Sequence, residues 1–234
     1  RAIVAYLRKF HNKAAVTLVP TEGIRRELIA SGYENIEIIG RGVDTKQFHP
    51  GRRDCALRAR WGVGENETVA LYVGRLAAEK NLALVFRAFD AMREANPATR
   101  LVLVGDGPER ASWQAKRPDA IFCGTRVGEA LAAHYASGDV FLFPSLTETW
   151  GNVTIEAMAS GLAVVAYDCA AAEEVIRHGE NGLKAPPEDE AAFIAQAVSL
   201  APAAAPAVDV VADLSADGDE MRVIHMPRAH TDGD

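Results

Sequence analysis

Apolar runs and helical patterns alternate along this chain. Val, Leu and Ile crowd into short runs at 16–19, 36–39, 69–73, 101–104, 121–122, 140–143 and 163–166, each of which reads as a strand. Between and after them, 22–30, 54–61, 81–95, 108–116, 129–137, 152–160, 171–178 and 189–200 carry helical spacing. Local signals agree with these boundaries. Thr21 is a good N-cap, Gly32 a good stop, and Pro108 stands near the first position of its helix. Strands that are apolar along their whole length, separated by helices, predict a parallel sheet covered on both faces: an α/β, Rossmann-like fold. Ligands of such sheets bind at the carboxyl ends of the strands. Segment 40–50 has two glycines, a terminal proline and no period, so it reads as a connector. After Leu200 the chain turns Ala/Pro-rich and then acidic, which predicts a tail of 201–234 without regular structure.

Composition narrows the function classes. The formal net charge is -7 over 234 residues. Between Ala207 and Asp234 seven acids face two bases, which leaves the body at -2. A body so nearly neutral offers no field for nucleic acid. Cys55, Cys123 and Cys169 are far apart and form no CxxC, which fits free thiols in the cytosol. No apolar run approaches the roughly 20 residues needed to span a bilayer. The basic stretch 1–13 lacks the apolar core of a signal peptide, and the chain starts without Met, which suggests a fragment.

The candidate chemistry lies in four loops after strands. Glu148 and Glu156 stand eight positions apart around a polar turn, 144–151, that leads into a fresh helix. Strand, loop and helix N-terminus together make a recurring anion site, because free amides and the helix dipole face outward there. Carboxylates beside it suit a ligand carrying hydroxyls as well as phosphate. A bland reading makes the same acids solvent-facing charges at a helix start, which the dipole favours, but the arrangement of all four loops on one sheet edge weakens it. In a second loop Gly74 lets backbone approach a ligand, and Arg75 and Lys80 supply two cations suited to a diphosphate; alone, such charges are more often ordinary solvated ones. The turn Gly105-Asp106-Gly107 lacks the third glycine of a dinucleotide fingerprint, Arg110 standing in its place, so an NAD-type site is not expected. The loop Cys123 to Arg126 offers backbone groups and nothing specific. None of the six histidines has metal-ligand spacing, and His134 is expected at a helix surface or boundary. No metal site and no Ser/His/Asp triad is expected.

Together these residues resemble the C-terminal, donor-binding half of a retaining glycosyltransferase of family 4, of GT-B architecture. The resemblance runs from about Ala15 to Leu200 and rests on several motifs. They are Gly42 to Pro50, matching the inter-domain linker; Gly74-Arg75-Leu76 with Glu79-Lys80-Asn81; Leu103 to Glu109; Tyr135 to Asp139 leading into Val140–Ser145; the E-x7-E pair Glu148 and Glu156, followed by Ala157 to Gly161; and Asn181-Gly182-Leu183. The implied domains are 1–50, a remnant of an N-terminal acceptor domain plus linker; 51–200, the nucleotide-sugar domain; and 201–234, the tail.

The resemblance implies roles residue by residue. Arg75 and Lys80 hold the donor diphosphate and steady the leaving group, with Gly74 beside them. Glu156 accepts from the ribose hydroxyls and Glu148 lies against the donor sugar. The amides of Trp150, Gly151, Asn152 and Val153 meet sugar and phosphate, and Arg126 and Val127 fall where the family binds the base. It implies hexose transfer from a UDP- or GDP-linked sugar with retention, without metal or other cofactor, to a lipid or saccharide acceptor. It also implies a cytoplasmic protein, with peripheral association at the inner membrane face as a further expectation. Three departures stand out. Beyond Leu200 the sequence does not match the family's usual closing helices. Most of the acceptor domain is absent, so the chain alone is expected to be inactive. Ala170-Ala171-Ala172 replaces a turn often rich in glycine. The alternatives are a nucleotide-sugar binding module without turnover, or another GT-B enzyme such as an epimerase or phosphorylase.

Overall fold

The computed structural model describes residues 2–64, 67–148 and 150–201; the acidic tail lies outside the described residues. The chain opens with α1 (Ala2–His11), β1 (Thr17–Val19), α2 (Glu22–Ala30) and β2 (Ile36–Ile38). β1 and β2 pair in parallel, Leu18 opposite Glu37. Thr21 caps α2, its hydroxyl accepting from the Ile24 amide at 3.2 Å, and Gly32 adopts the left-handed conformation that ends the helix.

The larger sheet contains β3 (Val69–Val73), β4 (Arg100–Val104), β5 (Ile121–Gly124), β6 (Val140–Phe143), β7 (Ala163–Tyr167) and β8 (Leu183–Ala185), in the order β5-β4-β3-β6-β7-β8 and parallel throughout. This is the α/β, Rossmann-like sheet that the apolar runs predict. Every residue of β3 and β6 is buried, as central strands with both faces covered must be. On one face α4 (Leu82–Ala95) turns Leu82, Val85, Phe86, Phe89 and Met92 inward and packs against α9 (Glu190–Ser199), which contributes Phe193 and Ala197. α6 (Gly128–Ala136), α7 (Asn152–Ala159) and α8 (Ala171–Val175) pack in sequence with one another. Two short helices, α3 (Cys55–Arg60) and α5 (Arg110–Lys116), complete the set.

Winding proceeds outward from β3 through β4 to β5, then restarts at β6 and proceeds the other way. With right-handed crossovers, that reversal opens a crevice between the carboxyl ends of β3 and β6.

The structure departs from the sequence reading at several places. β8 escapes sequence analysis because it is three residues long with Lys184 at its centre; pairing with β7 creates it, and the Lys184 ammonium reaches Asp168 at 2.7 Å. The helix expected over 171–178 ends at Val175, where Asn181 takes over: its side chain donates to the Val175 carbonyl and accepts from the Arg177 amide. His134 is buried, not at a surface, because α6 lies under Trp61, whose ring centroid is 5.5 Å from the imidazole. Burial pulls its pKa down, and Nδ1 sits 2.6 Å from the Ala130 carbonyl oxygen. Ala201, at the start of the expected tail, is buried, its carbonyl accepting from the Asn96 amide at 2.8 Å.

Candidate functional site

The crevice at the β3/β6 reversal is built from backbone outward. After β3, Gly74 continues the sheet by donating to the Val104 carbonyl at 3.0 Å. The Tyr72 hydroxyl then curls back to donate to the Arg75 carbonyl at 3.0 Å, and a Cβ on Gly74 would stand 2.9 Å from that hydroxyl. The loop after β4 presses against this one. Leu76 donates to the Asp106 carbonyl at 2.9 Å, Glu109 donates back to Leu76 at 3.0 Å, and a Cβ on Gly105 would overlap the Gly74 carbonyl. The glycines of this turn serve close backbone approach between two loops.

A short 3₁₀ turn, Ala78–Lys80, follows and ends on Asn81 with φ 53°. Asparagine tolerates this left-handed conformation, which starts α4. The turn brings Lys80 back over the crevice, where its ammonium pairs with the Glu148 carboxylate; both side chains are mostly buried. Ser145, itself buried, donates to the same Glu148 oxygen at 2.9 Å. The loops after β3 and β6 are thus joined across the reversal by a lysine, a carboxylate and a hydroxyl.

Glu156 takes a different partner. α7 begins at Asn152 behind Gly151, whose φ of 87° swings the chain into the helix. Gly151 accepts from the Thr154 amide at 3.0 Å, while helix geometry leaves the Asn152 and Val153 amides without intrahelical acceptors. One turn in, Glu156 is half-buried and accepts from the Tyr135 hydroxyl at 3.0 Å. Burial pushes its pKa up, and the hydroxyl opposes that shift. The phenols of Tyr135 and Tyr72 are pushed well above their usual range by burial, so both remain hydrogen-bond donors.

Trp150 is buried beside Glu148, and its indole N–H has no partner among the described residues. It lines a cavity of about 10 Å³ together with Phe143, Ser145, Cys169 and Ala170, room for about one water. Its carbonyl accepts from Ala171 at 2.8 Å, tying the start of α8 to the site.

The remaining expected residues occupy the rim. Arg75 is exposed and pairs with Glu79 at 3.5 Å. Arg126 and Val127 follow β5, two strands from β3 on the same edge. Val127 is 74% exposed, and Arg126 donates to the Thr125 carbonyl at 3.1 Å. Among the described residues, no three His, Cys, Asp or Glu side chains cluster to hold a metal ion. No helix there is long and apolar enough to cross a membrane. Sequence reasoning assigned no role to Tyr135, Ser145 or Tyr72. Tyr135 and Ser145 lie within motifs it quoted, but only the packing of α6 and β6 shows what they touch.

A doubly wound sheet with a lysine–carboxylate pair at its reversal, and a second carboxylate on the next helix, is an α/β domain with its charged groups gathered where such sheets bind ligands. Residues 67–202 match the family model described as "Glycosyl transferases group 1". The chain belongs to this family. It is 39% identical over 186 residues to a GDP-mannose-dependent alpha-mannosyltransferase of Mycobacterium tuberculosis, covering 80% of this chain and 48% of that protein. It is 37% identical over 182 residues to a sulfoquinovosyl transferase of Arabidopsis thaliana, covering 75% and 35%. The fold is similar to that of sucrose-phosphate synthase from Thermosynechococcus elongatus, with a TM-score of 0.72 and 24% identity over 87% of this chain and 53% of that one. The chain spans about half or less of the length of these curated relatives.

Proposed function

We propose that this chain is the donor-binding part of a glycosyltransferase that moves a hexose from a nucleoside diphosphate sugar to an acceptor hydroxyl, with retention of configuration and without a metal. The observation that carries the reading is the joining of Lys80, Glu148 and Ser145 across the sheet reversal, with Glu156 held on the adjacent helix. In this reading Lys80 and Arg75 face the diphosphate, with Gly74 leaving room for it. Glu156 accepts from the ribose, Glu148 from the sugar hydroxyls, and the amides of Trp150 to Val153 complete the sugar and phosphate contacts. Arg126 and Val127 border the base. The mannosyltransferase relatives favour a GDP-linked mannose as donor.

The bond between the anomeric carbon and the diphosphate oxygen breaks, and the acceptor oxygen forms the new one on the same face. Negative charge grows on the departing diphosphate, which the two cations and the N-terminus of α7 stabilise. The acceptor proton passes to a diphosphate oxygen, so no protein base is needed. Glu148 acts as a positioning group, already held by Lys80 and Ser145. The acceptor, a lipid or a saccharide, is bound by a part of the whole protein that precedes residue 50. Residues 51–200 alone bind donor without turnover. The enzyme works in the cytoplasm, at the inner membrane face when its acceptor is a lipid.

Calorimetry tests the ribose contact. Glu156→Ala weakens UDP or GDP binding by about 1–3 kcal/mol, the worth of hydrogen bonds to a charged group. Unchanged affinity rules the contact out. For the whole enzyme, turnover survives EDTA; activity lost to EDTA and restored by Mg²⁺ refutes the metal-free step.

A further inference from the structure

Glu156 bears a conflict. A carboxylate accepts from ribose hydroxyls most strongly when ionised, yet its own burial favours the protonated form. The fold answers with a single hydroxyl. Tyr135 is fully buried, so its OH has no access to bulk water, and it donates to Glu156 Oε2 at 3.0 Å. Its ring cannot swing away. On one side Phe48, at the end of the connector, meets it edge-on with centroids 5.7 Å apart; on another lies Phe141 of β6, at 5.9 Å. Phe48 is itself buried in the core of the large sheet. The titratable groups around this contact are few. Tyr135 on α6 acts on Glu156, and Tyr72 on β3 faces Tyr135. Glu148, eight residues earlier, is engaged by Lys80 and Ser145.

We propose that Tyr135 is the positioning residue of the donor site: its hydroxyl holds Glu156 by Oε2 and orients it, presenting Oε1, which has no partner among the described residues, to the ribose, and the connector residue Phe48 locks its ring. This rests on the reading of Glu156 as the ribose acceptor. It follows that nucleotide affinity depends on pH through Glu156. Affinity falls as pH drops through the carboxyl's raised pKa. Without the hydroxyl that pKa rises further, so the fall begins at higher pH.

The test is calorimetric titration of this chain with GDP and UDP from pH 5 to pH 8, on the unaltered protein, Tyr135→Phe and Glu156→Gln. Glu156→Gln shows what the nucleotide's own phosphate titration, near pH 6, contributes. Tyr135→Phe keeps the ring and its packing and is expected to bind roughly tenfold more weakly near neutrality, with the acid-side midpoint moved to higher pH. If Glu156→Gln binds as well as the unaltered chain, the ribose reading fails and this proposal with it. If Glu156→Gln is weakened while Tyr135→Phe matches the unaltered chain, only the role of Tyr135 is overturned. Weakened binding by Tyr135→Phe with an unmoved midpoint makes Tyr135 merely structural and also overturns it. Thermal melts establish that each variant folds. Should Tyr135→Phe not fold, Glu156→Asp, which withdraws the carboxylate from the hydroxyl, is titrated instead, with the same shift expected and an unmoved midpoint refuting the proposal.

Discussion

Ala170 sits where a glycine belongs. Its φ of 51° with ψ of -131° lies in a region that a Cβ makes unfavourable, and it stands immediately before α8. Both flanks are pinned: Cys169 donates to the Tyr167 carbonyl and Ala171 to the Trp150 carbonyl, each at 2.8 Å. The residue therefore cannot relax without breaking a contact to the site loop. Strain of this kind costs roughly 1–3 kcal/mol. Ala170→Gly removes it and loses about 0.4–1 kcal/mol through the greater freedom of glycine in the unfolded chain. The net is a stabilisation of about 1 kcal/mol. For a chain of this length that raises Tm by about 2–4 °C. Urea denaturation reads the same gain as a higher midpoint with an unchanged slope. The neighbouring Ala171→Gly, at the first residue of α8, is the control of opposite sign and loses up to about 1 kcal/mol. A fall in Tm for Ala170→Gly, or equal effects at the two positions, refutes the strain argument.

Further substitutions probe the packing of the crevice loops and, at the opposite, amino-terminal ends of β3 and β6, the anchor Asp139. Gly105→Ala places a methyl group into the Gly74 carbonyl at a φ of 139°, and is expected to cost roughly 2–4 kcal/mol from strain plus overpacking; stability equal to the unaltered chain in urea would show that the two loops do not meet. Asp139 accepts from Arg53 at 2.9 Å, Arg58 at 3.1 Å and the Val69 amide at 2.7 Å, with Arg58 almost wholly buried. Asp139→Ala leaves that guanidinium with the Ser137, Gly64 and Glu67 carbonyls but without the carboxylate bonded to it, and is expected to cost about 3–5 kcal/mol. Glu129→Ala, which removes only the exposed pair with Arg52, is expected to change stability by less than about 1 kcal/mol in the same thermal melts. Comparable losses from the two would refute the assignment of Asp139 as the buried anchor.

The α/β architecture was legible because its strands are continuous apolar runs and its helices carry caps. β3 and β6 bury every side chain, the composition expected of central parallel strands covered on both faces. β8 was not legible, since three residues with a central lysine have no period; the exposed edge of β7 creates it. The same division runs through the site. Lys80, Glu148 and Glu156 stood out by residue type and spacing, since cations and carboxylates at strand ends are legible without coordinates. Their partners were not. Glu148 and Glu156 look like a pair in sequence, yet the fold gives the first to Lys80 and Ser145 and the second to Tyr135. Sequence by itself determines which groups can carry charge and where strands and helices alternate, because hydrophobic period and side-chain chemistry are local properties. Only the tertiary structure decides which of those groups meet, because the strand reversal between β3 and β6 and the packing of α6 under α7 bring together residues that are 68 and 21 positions apart in the chain.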